Sequence, residues 1–292
     1  MYKFVRQNYQ LNNKIMKSFI LKISLLAFFA GFSFNLNAQE FQGKAYYFSK
    51  STMDLGRWGA RLSEAQKKQV MARMKDRLEK TFVLSFNKTE SFFKEDEKLD
   101  AMSGATDSWG KNFAQGDSYK NVKDNQLVQS QEFYGKKFLV KDKLQKIDWQ
   151  LGKETKQIGN YTCFKAMALI PSDELSWYNF SWDKLRRQEP QTDSTGTVKE
   201  PEIKMTQVEA WYTPQIPVSH GPSEYWGLPG LILEVSADNN TMLCSKIVIN
   251  PKEVIEIEAP KRGEEINKED YQATVVDKMQ DFRNSRGRRT RG

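Results

Sequence analysis

Pro229-Gly230-Leu231-Ile232-Leu233-Glu234-Val235-Ser236-Ala237-Asp238-Asn239-Asn240-Thr241-Met242-Leu243-Cys244-Ser245-Lys246-Ile247-Val248-Ile249 is the stretch from which the fold is read. An apolar run, Leu231 to Val235, and a β-branched run, Thr241 to Ile249, flank the turn formers Ala237-Asp238-Asn239-Asn240. That pattern predicts two strands joined as an antiparallel hairpin. Pro229 presets φ and Gly230 tolerates φ > 0, so the pair is expected at positions i+1 and i+2 of a type II turn leading into the first strand. Leu231 and Leu233 then point to the same side of a buried strand.

Working outward, the same alternation recurs along the chain. Phe41, Gly43, Ala45 and Tyr47 alternate with Gln42, Lys44 and Tyr46, which predicts a first strand. Further strands are expected near 81–86, 89–95, 127–134, 136–141, 145–150, 154–158, 161–170, 205–213 and 253–258, several separated by only a few turn residues as in a meander. Ser63 with Gln66 reads as a capping box, and Val70, Met71, Met74 and Leu78 recur at helical spacing, predicting a helix over 63–79. Asn267 and Asp270 cap a last helix whose Tyr271, Val275, Met279 and Phe282 form one stripe. Both stripes are expected to be core contacts. The fold class is therefore α+β, with a large curved antiparallel sheet and a helix near each end. A half-barrel like that of periplasmic lipoprotein carriers, wrapped around an apolar cleft, fits this reading.

One insertion, about 172–204, interrupts the sheet. Leu175, Tyr178, Trp182 and Leu185 follow Ser172 at helical spacing, and Trp177 and Phe180 add aromatic surface. This predicts a helix that either packs on the sheet or covers a hydrophobic cleft. The polar stretch from Gln188 to Glu202 is expected to be mobile.

With 292 residues, 39% hydrophobic and 28% charged, the chain can bury one core. Its only membrane-like segment is N-terminal. Met16-Lys17-Ser18 and Lys22 precede an apolar run from Ile23 to Phe34, and Leu36 and Ala38 suit signal peptidase. The expectation is a signal peptide over 1–38, cleavage before Gln39, and a periplasmic or extracellular mature chain without a transmembrane span. Residues 1–15 read as an upstream extension. The formal net charge is +8, but Lys3, Arg6, Lys14, Lys17 and Lys22 fall in the first 38 residues. Arg283, Arg286, Arg288, Arg289 and Arg291 fall in a terminal stretch, 283–292, expected to be a disordered basic tail. Residues 39–282 then sum to −2, which excludes a nucleic-acid surface on the folded body.

Chemistry is restricted by a single histidine, His220. No G-x-S-x-G, H-E-x-x-H, P-loop or strand-following G-x-G-x-x-G is present, so no catalytic residue, cofactor or metal is assigned. Acidic pairs among 37 Asp and Glu residues leave a glycan-directed hydrolase as the runner-up. Cys163 and Cys244, both in strand-like runs of an exported chain, are expected to form a disulfide closing an 80-residue loop, worth about 4 kcal/mol. Two buried free thiols, or a soft-metal site with Met242, are the alternatives.

Residues 227–232 read Gly-Leu-Pro-Gly-Leu-Ile, preceded by Ala210-Trp211-Tyr212-Thr213-Pro214 and by His220-Gly221-Pro222. With the Ile158-Gly159-Asn160-Tyr161-Thr162-Cys163 run and Ile249-Asn250-Pro251, this resembles the GLPGLI family of exported Bacteroidota proteins, a Porphyromonas-type family of unknown function. The resemblance implies location and shape rather than a reaction. Pro214, Pro217, Pro222 and Pro229 stiffen the segment, so Gly227, Leu228, Pro229, Gly230, Leu231 and Ile232 are expected to act as a structural clamp. Trp211, Tyr225 and Trp226, with Trp177 and Trp182, are the side chains expected to meet a partner. The function these readings support is an envelope accessory or binding protein for a lipid-like ligand or another envelope protein.

Overall fold

Alternation builds the sheet one strand at a time. In β1 (Gln42–Ser51), Ala45 and Tyr47 are wholly buried while their neighbours are partly exposed. The computed structural model describes residues 41–53, 55, 59–96, 114–182, 185–186, 191–192, 198–199 and 203–289. By contacts the chain divides into residues 1–40, where the expected signal peptide lies outside the described residues, and residues 41–292. After β1 come α1 (Glu64–Leu78), β2 (Glu79–Asn87), β3 (Glu90–Glu95), β4 (Ser118–Asn121), β5 (Gln126–Phe133) and β6 (Lys136–Lys143). They are followed by β7 (Gln150–Ile158), β8 (Tyr161–Pro171), α2 (Ser172–Leu175), β9 (Gln191–Thr192), β10 (Val198–Lys199) and β11 (Met205–Thr213). The chain then forms β12 (Leu231–Ala237), β13 (Asn240–Ile249), β14 (Glu264–Ile266) and α3 (Lys268–Arg289).

Twelve strands join one sheet in the order β14-β6-β5-β4-β3-β2-β1-β13-β12-β11-β8-β7. All neighbours are antiparallel except β14, which lies parallel to β6. The β12–β13 hairpin pairs Ala237 with Asn240, and Asp238 takes φ +51° in its turn. The fold class is thus α+β, as the alternation requires. The sheet is also curled. Tyr271 of α3 packs edge-on against Phe138 of β6 at 5.4 Å and against Trp177, just after β8, at 5.6 Å. In sheet order β6 and β8 are nine steps apart, roughly 43 Å if the sheet were flat. One tyrosine reaches both neighbourhoods because the sheet wraps.

The interior is filled with side chains. Tyr47, Leu84, Phe86, Phe93, Leu231 and Leu233 form its centre, all at 1% exposure or less. α3 seals one side with Tyr271, Val275 and Met279, and it is capped as expected, Asn267 Oδ1 accepting from Asp270 N–H at 2.8 Å. Among the described residues no helix is long and apolar enough to cross a membrane.

Several expectations are corrected. α1 has its capping box, but Val70, Met71, Met74 and Leu78 are only half-buried, so its stripe rests on the rim rather than in the core. The strand expected at 145–150 does not form, since residues 144–149 are outside any strand, while the one expected at 154–158 begins earlier, as β7 from Gln150, with its register shifted between Leu151 and Thr155. No strand forms over 253–258, whereas β4 and β14 were not anticipated. The insertion does not form one continuous helix: α2 covers only Ser172–Leu175, Trp177 turns inward against α3, and helical backbone resumes at Trp182 and Leu185, whose N–H donates to Ser181 O at 3.1 Å. Most of the stretch 188–202 lies outside the described residues. α3 runs on to Arg289, through most of what was expected to be a disordered tail.

Cys163 and Cys244 are free, buried thiols. They lie on β8 and β13, and sheet order puts β11 and β12 between those strands. A disulfide needs Cα atoms within about 7 Å, which neighbouring strands provide and separated ones do not. Burial pushes the Cys163 thiol up to about 11 and Cys244 to about 12, keeping both protonated and unreactive. Denatured but unreduced protein should therefore titrate two thiols per chain. A count of zero would restore the disulfide.

Candidate functional site

The site is built by the segment that leaves β11 and returns to β12. Its prolines keep it from continuing the ladder, so it folds back along the start of β12. Leu231 N–H donates to Ile216 O at 3.0 Å, and Ile232 N–H to His220 O at 3.0 Å. Gly227 N–H closes the loop on Ser219 O at 3.2 Å. Because β13 pairs with β12 only from Glu234 onward, these loop carbonyls satisfy the first β12 amides. Leu231, Ile232 and Leu233 are consequently buried on both faces.

The glycines of this segment play roles other than the expected turn. Gly230 does not have positive φ; a Cβ placed on it would lie 2.2 Å from Thr213 O and 2.5 Å from Thr213 C. Backbone passes against backbone there, and only glycine permits it. Gly227 is the residue in the left-handed region, at φ +93°, with open space around its Cβ direction out to Trp149 at 3.8 Å. The turn at Pro229-Gly230 is therefore not the type II turn that the dipeptide suggested.

Three carbonyls of the loop, from Gly221, Ser223 and Tyr225, converge on one cation. Lys120 of β4 is fully buried and its Nζ donates to them at 2.8, 2.6 and 3.1 Å. An ammonium has three donors, and all three are used. Burial pulls the Lys120 pKa down to about 7, with the Glu224 carboxylate pulling the other way. Ser223 holds φ +51°, a conformation that turns its carbonyl to the lysine.

His220 is wholly buried beside this cage; the Asn87 main chain lies close enough to act on the ring, but neither ring nitrogen makes a hydrogen bond of ordinary geometry. Burial, and secondarily the Lys120 charge, push its pKa down to about 3, the Asn87 main chain opposing. The ring is neutral in the folded protein at pH 7. In the unfolded chain it gains a proton near pH 6.5, so its contribution to stability is complete above that pH and is lost as pH falls toward 3. Wild type should lose about 2 kcal/mol more than His220→Phe between pH 7 and pH 5 in urea unfolding. Equal losses would show that the ring titrates freely.

Next to the cage lies a junction of aromatic and polar groups. Glu224 accepts from Trp177 Nε1 at 2.5 Å and from Lys268 Nζ at 2.6 Å, and Lys268 sits 5.2 Å above the Trp177 ring. Burial raises Tyr178 to about 12, with Glu224 adding to it, and raises Tyr225 further, with Tyr178 and Glu224 adding. Both hydroxyls are thus neutral donors close to one carboxylate.

Three of the five expected contact residues meet at this loop. Trp177 and Tyr225 belong to the junction, and Trp226 donates from Nε1 to Gln145 O at 2.7 Å while its carbonyl accepts from Trp149 Nε1 at 2.8 Å. Trp211 does not join them. Lys156 and Lys165 cover its ring at 4.5 and 5.8 Å, and its Nε1 donates to Glu209 at 2.9 Å. Trp182 sits apart under Arg283, at 4.7 Å, near a cleft of about 60 Å³ lined by Trp177, Phe180, Leu185 and Val275. Lys120, Tyr178 and Glu224 were not anticipated. Lys120 stands in an unremarkable Ser-Tyr-Lys-Asn run, and its partners are backbone atoms that no sequence pattern displays.

Residues 149–234 match Porph_ging, a family described as a protein of unknown function. The matched segment runs from just before β7 into β12 and contains the whole loop, both glycines and all five aromatic candidates, with Trp149. No curated protein matches the chain. Among solved structures it is similar to PNGF-II in space groups C2 and P21, with TM-scores of 0.47 and 0.46 and identities of 14% and 13%. Each similarity covers 81% of this chain and 33% of the other, so this chain spans about a third of theirs.

Proposed function

We propose that the protein is an exported envelope accessory protein that binds a partner protein or an amphiphilic ligand at the junction of Trp177, Tyr178, Glu224 and Tyr225. Export to the periplasm or beyond the cell is supported by the basic-apolar-small sequence pattern from Lys17 to Ala38. The observation that carries the binding reading is the junction itself. Two neutral tyrosine hydroxyls and a half-buried carboxylate sit beside an indole, which is how a site combines apolar contact with a few orienting polar groups. The loop behind it is held rigidly by Lys120.

The hydrolase alternative has less support. Glycoside hydrolysis uses two carboxyl groups, one of them with a raised pKa. The junction contains one carboxylate, and it is already paired with Lys268 and Trp177. Of the carboxyl groups with a displaced pKa, burial raises Glu209, but Trp211, Lys165 and Lys156 outweigh it and hold it low; Lys261 holds Glu258 low.

Native mass spectrometry and photo-crosslinking of protein isolated from its own envelope test this reading. The expected result is a mature N-terminus at Gln39 and a bound mass or crosslinked partner at position 178 that Tyr225→Ala removes. Bare protein with no crosslink at that position would contradict it.

A further inference from the structure

On the inner face of β3, β4 and β5, polar side chains interrupt an interior that is otherwise mostly aromatic and aliphatic. Ser91 pairs across the ladder with Lys120, and Ser118 with Gln129, so these side chains and Gln131 form one contiguous patch. All are at most 2% exposed. Among the described residues, Ser91 Oγ, Ser118 Oγ, both polar atoms of Gln129, Gln131 Nε2, Gln115 Nε2 and both nitrogens of His220 are buried without a hydrogen-bond partner. Lys120 has none to offer, since its three donors are spent on the loop carbonyls. Gln131 Oε1 and Gln115 Oε1 are also spent, accepting from Gly116 N–H at 3.1 Å and Ser223 Oγ at 2.9 Å, which leaves their amide nitrogens free.

We propose that this patch, closed over by the 219–226 loop, is a binding site for neutral hydrogen-bonding guests of water size, and that its resident guest is a cluster of internal waters. The chemistry of the unpartnered atoms selects the guest. Three amide N–H₂ groups donate, Gln129 Oε1 accepts, and the two hydroxyls and the neutral imidazole do both. An anion offers nothing to Gln129 Oε1. A cation would meet the Lys120 charge. Water donates two hydrogen bonds and accepts two, and buried waters bridge otherwise unpaired groups in this way. Without such a guest, eight orphaned atoms would cost as much as the entire stability of an ordinary domain.

A high-resolution crystal structure of the wild type, together with thermal melts of Gln129→Met, tests the proposal. Expected are ordered waters within hydrogen-bond distance of both Gln129 amide atoms, and a Tm lowered by several degrees in Gln129→Met, because the remaining polar groups lose their bridge. The proposal fails if the amides of Gln129 and Gln131 pair directly with neighbouring side chains, or if density for a larger molecule fills the patch. It fails equally if the Gln129→Met melting temperature is unchanged or raised, since an apolar side chain is an improvement only where no water network exists.

Discussion

Lys120→Met is expected to lower the stability of the protein by about 3–5 kcal/mol, the range found when one partner of a buried charged interaction is removed. The variant keeps the length and apolar stem of the side chain, so little packing is lost. What it removes is, among the described residues, the only side-chain donor to Gly221 O, Ser223 O and Tyr225 O, and those carbonyls sit in a loop whose other bonds hold the start of β12. Urea unfolding checks it. Since the lysine ties β4 to a segment more than 100 residues away, the loss should appear as a lower midpoint of the whole transition, not as a local early phase. A change below about 1 kcal/mol would mean that the three contacts are worth no more than a single ordinary hydrogen bond.

Gly230→Val is expected to be harsher still, abolishing folding or costing more than about 4 kcal/mol, a size reserved for a named steric or polar violation. The collision is with backbone, Thr213 O and C and Pro214 N within 2.8 Å of the added Cβ, so no rotamer change relieves it. Separating the two chains would pull Leu231 from Ile216. Gly227→Ala separates this cause from backbone strain. With φ +93° and no crowding, its cost should stay near the 1–3 kcal/mol of a non-glycine residue held in an unfavourable region. Thermal melts of the two variants side by side decide the point, and a Gly227→Ala loss exceeding that of Gly230→Val would return the motif to a turn-conformation role.

The parts of the fold that were legible are those in which side chains alternate between water and core. The β12–β13 hairpin, β1 and the capped α3 carry their own periodicity and turn chemistry, so each could be placed without knowing its neighbours. β4 hid because its inward residues are Ser118 and Lys120, which look solvent-exposed; Lys120 is accommodated in the interior only by carbonyls brought from the 219–226 loop. Pro229-Gly230 reads the same whether glycine is needed for φ or for close approach, and only the position of Thr213 distinguishes the two. The cysteines illustrate strand order. Two exported strand-like runs invite a bridge, but neighbours in a sheet are set by pairing, and β11 and β12 intervene. Of the aromatic residues expected to meet a partner, Trp177, Tyr225 and Trp226 come together at the loop, whereas Trp211 lies apart with two lysines, from β7 and β8, on its ring.

Backbone bonds tie the 213–230 segment to the start of β12, the arrangement expected of a structural clamp and not of a loop free to close on a ligand. Native-state hydrogen exchange of the Gly227, Leu231 and Ile232 amides tests it most directly, because these donate to Ser219, Ile216 and His220 within the clamp. The account predicts that all three exchange only through global unfolding, with the same free energy as the central amides of β1. Exchange of these amides at a free energy several kcal/mol below the global value, with β1 still protected, would show that the loop opens on its own and would contradict the clamp.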